Sequence, residues 1–275
     1  MDIHQRLLVN SCTLLHVLYF AYMSKLPKAN MFLDLSDYGR PAAIGIANRL
    51  RHTTTTPVHL TLAFFISGLL AVLCIAYHTY WAAAFFLILK SILDAADGEL
   101  ARVKETPSYT GRYFDSIADI LLNAIIFFAL WHLTNASGVL TVLSFIGLQL
   151  QGTLYNYYYV ILRNRLNGDT TSRVFEINPP KALPGESQKN VNWLFRTYTL
   201  LYGLFDRTIY FLDPNASKEK ITPKWFMTAV SAFGLGTQLL IIAVLLVLGL
   251  INFIIPFFIG YTLIIFVVIG IRRLL

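Results

Sequence analysis

Four aspartates lie close together in the sequence, between two strongly apolar stretches of the chain. The segment DAADGELARVKETPSYTGRYFDSIAD runs from Asp94 to Asp119 and also carries two arginines. A charged side chain at the centre of a membrane-spanning helix costs roughly 2.5–3.5 kcal/mol, so four unpaired carboxylates at depth would cost on the order of 10 kcal/mol. We therefore expect these carboxylates to lie at the membrane edge and to be neutralised by a cation.

The spacing of the aspartates predicts a metal site. Asp94 and Asp97 are three residues apart, and Asp115 and Asp119 are four apart, so each pair shares one face of a helix. The segment 104–111 contains a proline and a glycine and is expected to turn the chain into a hairpin. Carboxylates this close need a cation between them. Oxygen ligands favour Mg²⁺, Mn²⁺ or Ca²⁺, and carboxylate-bound Mg²⁺ usually serves a phosphate substrate.

The composition is that of a membrane protein. Of 275 residues, 56% are hydrophobic and 13% are charged, whereas soluble domains carry about 25% charged residues. Cys12 and Cys74 form no disulfide or metal-binding pattern. Residues 7–23 do not resemble a removable signal peptide and fall short of the roughly 20 residues that a span needs. They predict an interfacial or packed helix, with a further span as the alternative.

Six apolar stretches have the length of a membrane span. They lie at residues 58–77, 80–101, 114–133, 138–162, 225–248 and 251–271. The turns after the first, third and fifth stretches contain no charged residue, and all 22 Lys and Arg fall on the other side. The positive-inside rule then places both termini, the charged loops and the aspartates at the cytoplasmic face. The net charge of +7 belongs to that face and suits anionic head groups or phosphates.

Two polar segments are expected to form helices that lie on the membrane surface. Residues 163–190 are rich in Pro, Gly, Asn and Ser and predict a loop. Residues 191–213 return to helical periodicity with charges on the apolar face, and residues 40–51 have a similar pattern. The predicted fold class is an all-α integral membrane protein with six transmembrane helices and amphipathic interfacial helices on the cytoplasmic face.

The expected organisation is one membrane domain preceded by an N-terminal segment. Residues 1–55 form an N-terminal cytoplasmic or interfacial segment, and residues 56–275 form the six-helix domain. That domain includes a cytoplasmic loop and surface helix at 163–224. In a bacterium the predicted location is the inner membrane, as a multi-pass protein.

The complete aspartate pattern is D-x-x-D-G-x-x-A-R-x₈-G-x-x-x-D-x-x-x-D. It is carried by Asp94, Asp97, Gly98, Ala101, Arg102, Gly111, Asp115 and Asp119. At residue frequencies of about 5–8%, eight fixed positions agree by chance about once in ten billion starts. The pattern resembles the CDP-alcohol phosphotransferase (CDP-alcohol phosphatidyltransferase) family at every specified position. The resemblance is strong through about residues 56–133, and the family's six spans match the hydropathy.

The resemblance implies an activity and roles for the aspartates. Members of this family transfer a substituted phosphate from a CDP-linked donor to an alcohol and release CMP. By resemblance Asp94, Asp97 and Asp115 are metal ligands, while Asp119 completes the metal cluster and takes the proton of the attacking hydroxyl. The implied cofactor is Mg²⁺ or Mn²⁺, as two ions. A homodimer in membrane lipid is expected, without a nucleic-acid partner.

The resemblance also implies a pocket for the cytidine and the diphosphate. Its lining is expected to include Gly98, Ala101, Arg102 and Gly111. Small side chains leave room for a ligand, and a guanidinium can contact two phosphate oxygens. Before the first span the family often has Pro-Asn-x-x-Thr, which here reads PVHLT. Pro57 and Thr61 are kept, Val58 replaces the asparagine, and Thr61 stays a candidate nucleotide contact.

The pattern does not identify the alcohol. The chain is expected to join CDP-diacylglycerol to inositol phosphate, glycerol phosphate, serine or choline, or to join CDP-choline or CDP-ethanolamine to diacylglycerol. Six spans and a basic cytoplasmic face favour the first class. Arg163, Arg165 and Arg173 are candidates for binding a phosphate or polar acceptor, unless they only follow the positive-inside rule.

Other polar residues near the spans have several interpretations. Tyr155 and residues 157–159 are interfacial anchors and packing residues, or a cage for choline. Lys90, one turn before Asp94, pairs with that aspartate, extends to the surface or contacts the substrate.

Two other functions also use clustered aspartates. An intramembrane prenyltransferase would carry more spans and two Asp motifs on well-separated helices. A cation transporter would place carboxylates near the membrane midplane, often on broken helices in paired repeats. Here both aspartate pairs share one hairpin at one membrane edge, which favours the transferase.

Overall fold

The chain folds as a bundle of helices around the aspartate hairpin. In a computed structural model, residues 26–166, 176–218 and 222–275 are described. Their helices are α1 (Arg40–Leu50), α2 (Pro57–Ala76), α3 (Tyr80–Val103), α4 (Tyr109–Leu133), α5 (Gly138–Arg165), α6 (Gln188–Leu212), α7 (Lys224–Ser231), α8 (Leu235–Val247) and α9 (Ile251–Leu274). Short 3₁₀ turns at Lys28–Asn30 and Leu35–Asp37 precede α1. The described residues contain no β-strand, which confirms the all-α class; residues 7–23 lie outside them.

Several helices are long and apolar enough to cross a membrane. In the described part of the chain these are α2, α4, α5 and α9, with α7 and α8 counting as a fifth if this pair, bent by 45°, forms one span. Helix α3 occupies the second predicted position, but Lys90, Asp94 and Asp97 interrupt its apolar sequence. Four or five such helices fit a multi-pass membrane protein.

Polar residues fix the starts of the helices that carry the motif. Helix α2 begins with a capping box, in which the Thr56 backbone N–H donates to His59 Nδ1 over 3.0 Å, and Pro57 takes the first helical position. Helix α4 begins where the Gly111 N–H donates to Ser108 Oγ over 2.8 Å. Such caps satisfy N–H groups that the first turn leaves without helical partners.

The predicted fifth span, 225–248, is two helices rather than one. The chain bends between α7 and α8, where the Leu35 N–H donates to Ser231 Oγ over 2.9 Å. A Cβ on Gly236 would collide with the backbone of Ser36. The N-terminal turn Leu35–Asp37 therefore packs into the bend, and the absent side chain of Gly236 provides the space. Apolar periodicity alone could not show this break.

Helix α6 forms where a surface helix was predicted, three residues earlier than expected. One face packs on the bundle through Val191, Leu194, Phe195, Phe205 and Ile209. A second apolar stripe is exposed and consists of Trp193, Leu200, Leu204 and Phe211. The helix packs against α4 and α5, while α1, the other predicted surface helix, packs on α3 through Ala43 and Ala47.

A buried ion pair ties the end of α9 to the end of α6. Asp213 and Arg272 form this pair with side chains only 1% and 3% exposed. Tyr158 OH donates to Asp213 Oδ2 over 2.7 Å, and Tyr157 OH donates to the Asp213 carbonyl over 2.9 Å. Both tyrosines belong to α5, so the Asp213 cluster joins three helices.

We expect Asp213→Ala to lower the free energy of unfolding by about 3–5 kcal/mol, because the Arg272 guanidinium would stay buried without its carboxylate. Thermal unfolding in detergent measures the loss. The double variant Asp213→Leu/Arg272→Met removes both charges and should recover much of the stability. Equal instability of the single and double variants would contradict this account.

Candidate active site

The α3–α4 hairpin brings together three of the four aspartates that the sequence analysis assigned to a metal cluster. One carboxylate oxygen of each of Asp94, Asp97 and Asp115 lies within 4.8 Å of the others. Asp94 and Asp97 come from one turn of α3, and Asp115 faces them from the second turn of α4. Three oxygen ligands at this separation suit a hard divalent cation.

Two observations within this cluster fit a bound cation. Asp115 Oδ1 is buried, and no donor among the described residues reaches it. Asp97 is 8% exposed, and its Oδ2 accepts a hydrogen bond of 2.7 Å from Thr61 Oγ1 of α2. Thr61, predicted as a nucleotide contact, thus orients a carboxylate of the cluster, while a buried acceptor without a donor is a position that a metal ion can satisfy.

Asp119 lies one helical turn beyond Asp115 and outside the group of three. Lys90 Nζ donates to Asp94 Oδ2 over 2.9 Å and forms a second, close ion pair with Asp119. The Lys90 side chain is 2% exposed and lies 4.7 Å from the ring centroid of Phe64. The structure thus shows Lys90 in an ion pair with Asp94, one of the alternatives predicted for it, and also in an ion pair with Asp119.

The four aspartates line a cavity of about 380 Å³. This volume is within the usual range of ligand pockets, about 300–1,000 Å³. Further walls come from the segment 34–40, from α5, from α6 and from the start of α8. The cavity is acidic, since seven aspartates line it against two arginines, Arg40 and Arg163.

The predicted nucleotide residues divide into two groups. Gly98 lines the cavity, and a Cβ there would lie 3.5 Å from the Arg102 guanidinium. Arg102 Nη2 lies 2.7 Å from Glu99, which is fully buried and also pairs with Arg40. Gly111 belongs to the N-terminal turn of α4, and half-buried Ala101 lies next to Arg102; neither lines the cavity.

The predicted acceptor residues also separate. Arg163 lines the cavity, is 6% exposed and lies 5.5 Å from the ring centroid of Tyr159. Arg165 donates to the Ala216 carbonyl over 3.3 Å, and Arg173 lies outside the described residues. Tyr155 and Tyr159 stack at 5.6 Å in the cavity wall. Tyr157 and Tyr158 point instead to the Asp213 cluster, so the four tyrosines do not form one cage.

The segment before α1 supplies a wall that the sequence analysis missed. Asp34 accepts from the Tyr155 hydroxyl and from the Ser36 N–H, the latter over 3.0 Å. Asp37 pairs with Arg40, and all these residues line the cavity. The sequence feature that could have indicated this wall was the three-residue spacing of Asp34, Asp37 and Arg40.

A second missed wall belongs to α6. Tyr198, Tyr202 and Asp206 line the cavity from successive turns of this helix. The Tyr202 hydroxyl donates to the Ser116 carbonyl over 3.0 Å, which places it beside Asp115. Burial raises the pKa of Asp206 to about 6, against the effect of the hydrogen bond from Tyr198. Their spacing of four residues was visible in the sequence, but their partner surface was not.

The loop before α6 is anchored to the start of α4. Ser108 Oγ and the Thr110 N–H each donate to Glu186 Oε1 over 2.7 Å. Burial acts to raise the pKa of Glu186, but these donors and the Leu183 N–H together hold it below its usual value. Glu176, in the same loop, pairs with Arg112 at 2.6 Å. These contacts fix α6 relative to the aspartate hairpin.

The span-length apolar helices fit a multi-pass membrane protein, and the three grouped carboxylates could hold a metal ion. Residues 54–172 match the family model described as CDP-alcohol phosphatidyltransferase, and this match supports a transferase of substituted phosphate groups. The resemblance read from the aspartate pattern is thereby confirmed.

One curated relative gives a more specific comparison. Over 65 residues the chain is 38% identical to the CDP-diacylglycerol–serine O-phosphatidyltransferase of Bacillus subtilis (strain 168). The match covers 24% of this chain and 37% of that protein, so it spans little more than a third of the relative's length. Helix α6 and the segment 34–40 both lie outside residues 54–172.

Proposed function

We propose that this protein transfers a phosphatidyl group from CDP-diacylglycerol to a small polar alcohol and releases CMP. The observation that carries the proposal is the group of three carboxylates within 4.8 Å, with Asp119 beside it, at the wall of the cavity. The family supports a CDP-linked donor, and the name of the curated relative supports CDP-diacylglycerol.

The cluster of Asp94, Asp97 and Asp115 is proposed to hold Mg²⁺ or Mn²⁺, with Asp119 completing a site for two ions. When bound, the cation neutralises charge on the diphosphate and on the departing CMP. Thr61 keeps Asp97 turned toward the cluster through its 2.7 Å hydrogen bond. Gly98, Ala101, Arg102 and Gly111 remain the proposed nucleotide residues, and Arg163 the proposed acceptor contact within the cavity.

Asp119 is proposed as the general base. The acceptor oxygen forms a bond to the phosphatidyl phosphorus, the bond from that phosphorus to the CMP oxygen breaks, and Asp119 takes the hydroxyl proton. Because Lys90 pairs with both Asp119 and Asp94, it holds these two carboxylates at one place in the site.

The proposed membrane arrangement keeps six spans, with α3 as the second and the bent pair α7–α8 as the fifth. The aspartates would then face the cytoplasm, where a soluble alcohol meets a lipid donor. The exposed stripe of α6 would lie in the head-group region, as expected of an amphipathic interfacial helix. A single domain over 56–275, a homodimer and an inner-membrane location in a bacterium complete the proposal.

The first test is CMP release by the purified full chain with Mg²⁺. CDP-diacylglycerol is offered with a panel of polar alcohols, and CDP-choline and CDP-ethanolamine are offered with diacylglycerol. CMP formed in the first arm, and lost with EDTA, supports the proposal. CMP formed only in the second arm would assign the donor and acceptor the other way round.

We expect Asp119→Asn to reduce turnover by about a hundredfold to ten-thousandfold, the usual contribution of a general base. Binding of CDP-diacylglycerol, measured by displacement of a radiolabelled donor, should persist. Near-normal turnover of this variant would show that another group accepts the proton.

A further inference from the structure

Helix α6 presents one continuous face to the cavity. Tyr198, Tyr202 and Asp206 are spaced by four residues and therefore lie on the same side of the helix. The tyrosine rings stack at a centroid distance of 5.1 Å and an interplanar angle of 18°. This face lies outside residues 54–172, so the family match does not assign it a role.

This face is held against the catalytic end of α4. The hydrogen bond from Tyr202 reaches the carbonyl of Ser116, which lies between Asp115 and Asp119 in sequence. The Tyr198 hydroxyl lies 3.4 Å from Asp206 Oδ2. Asp119 and the α6 face line the same cavity, so a molecule with its hydroxyl at Asp119 would share that cavity with the α6 face.

The charges of α6 are sorted between its two sides. Arg196 and Arg207 are exposed, whereas Asp206 turns into the cavity. In the described ranges Asp206 forms no ion pair, and the hydroxyl of Tyr198 is its hydrogen-bond partner. The other two residues of this face are the stacked rings of Tyr198 and Tyr202, and aromatic ring faces attract cations. A carboxylate beside aromatic rings suits an ammonium group and disfavours a phosphate.

We propose that the α6 face formed by Tyr198, Tyr202 and Asp206 selects an acceptor alcohol that carries an ammonium group. The inference rests on the proposed transfer reaction and specifies its second substrate. A phosphorylated alcohol would bring a second anion to a cavity that seven aspartates already line. Arg163 lies in another wall, from α5, so an additional carboxylate on an amino alcohol is also compatible with the cavity.

The test compares acceptors that differ only in the charged group. Purified full chain, CDP-diacylglycerol and Mg²⁺ are supplied with ethanolamine or ethylene glycol, with choline or 3,3-dimethylbutanol, and with serine or glycerate. Glycerol 3-phosphate is a further acceptor. We expect the ammonium member of at least one pair to have the higher kcat/KM by about tenfold or more, the value of one hydrogen bond to a charged group.

Asp206→Asn preserves the shape of the side chain and removes its charge. It should raise the KM of the preferred ammonium acceptor about tenfold and leave kcat nearly unchanged. The KM of the neutral acceptor of the same pair should also stay nearly unchanged. Tyr198→Leu should also raise that KM, because a ring face is lost. Arg207 follows Asp206 in the sequence, but its side chain is exposed. Arg207→Gln is therefore the matched control and should leave the preference for the ammonium acceptor intact.

The outcomes separate this inference from the reaction on which it rests. CMP formed best with a neutral or phosphorylated alcohol would overturn the ammonium preference and leave the transferase intact. An unchanged preference in folded Asp206→Asn would also overturn it. If that variant does not fold, the preference of the wild-type protein among the paired acceptors decides. Silence with every acceptor would overturn the transfer reaction, and this inference with it.

Discussion

Asp115→Asn should slow CMP release on the order of a thousandfold, equivalent to about 4 kcal/mol in the activation barrier. Asp115 is the member of the group of three that α4 supplies, and it faces Asp94 and Asp97 on α3. Neither of those two carboxylates can take the place of its oxygen. An amide has a carbonyl oxygen but no charge, and it binds a hard divalent cation less well. Binding of Mn²⁺, measured by electron paramagnetic resonance, should weaken along with activity.

The same substitution should change stability in the opposite direction. Without metal, Asp115 is buried among carboxylates and one of its oxygens lacks a donor, so removing its charge relieves repulsion. We therefore expect a higher Tm for the metal-free variant than for the metal-free wild type, and a smaller rise on adding Mg²⁺. Functional sites commonly sacrifice stability in this way.

The control for Asp115 comes from the same hairpin. Glu105→Gln also converts an acid to an amide, but Glu105 is exposed in the turn between α3 and α4. It should leave Mn²⁺ binding and turnover unchanged. If both variants lost activity equally, general damage to the hairpin would explain the result and the metal assignment of Asp115 would fail.

The sequence was sufficient for the aspartate hairpin because its determinants are local. Spacings of three and four residues place side chains on one helical face, and Pro107 with Gly111 marks the turn between the helices. The apolar stretches likewise report their own length, so helices formed at all six predicted positions. Helix α3 is nevertheless not among the helices that are apolar enough to cross a membrane, because the charges that make the site also interrupt its apolar sequence.

The other walls of the cavity depend on contacts between distant parts of the chain. Tyr155 reaches Asp34 across 121 residues, and Tyr202 reaches Ser116 across 86. No local pattern specifies which helix face such a residue will meet. The break between α7 and α8 has the same origin, since it is explained by the turn around Ser36 packing against Gly236. A sequence can indicate that α6 is amphipathic without indicating that its polar side closes the cavity.

Lys90→Met should destabilise the metal-free protein by about 3–5 kcal/mol, because it removes the buried partner of two carboxylates. Lys90 is 2% exposed and contacts both Asp94 and Asp119, so water cannot take over its contacts with these carboxylates. Methionine keeps much of the apolar stem, which limits the loss of packing against Phe64. Thermal unfolding in detergent containing EDTA measures the effect.

Addition of Mg²⁺ distinguishes charge compensation from packing. A cation in the aspartate cluster would supply positive charge next to Asp94, so Mg²⁺ should raise the Tm of Lys90→Met more than that of the wild type. Lys189→Met, on the exposed start of α6, is the matched control and should change neither value. If Lys90→Met were as stable as the wild type in EDTA, the two ion pairs of Lys90 would not stabilise the fold. A lower Tm that Mg²⁺ does not correct would assign the role of Lys90 to packing, whereas recovery would show that lysine and metal neutralise the same carboxylates.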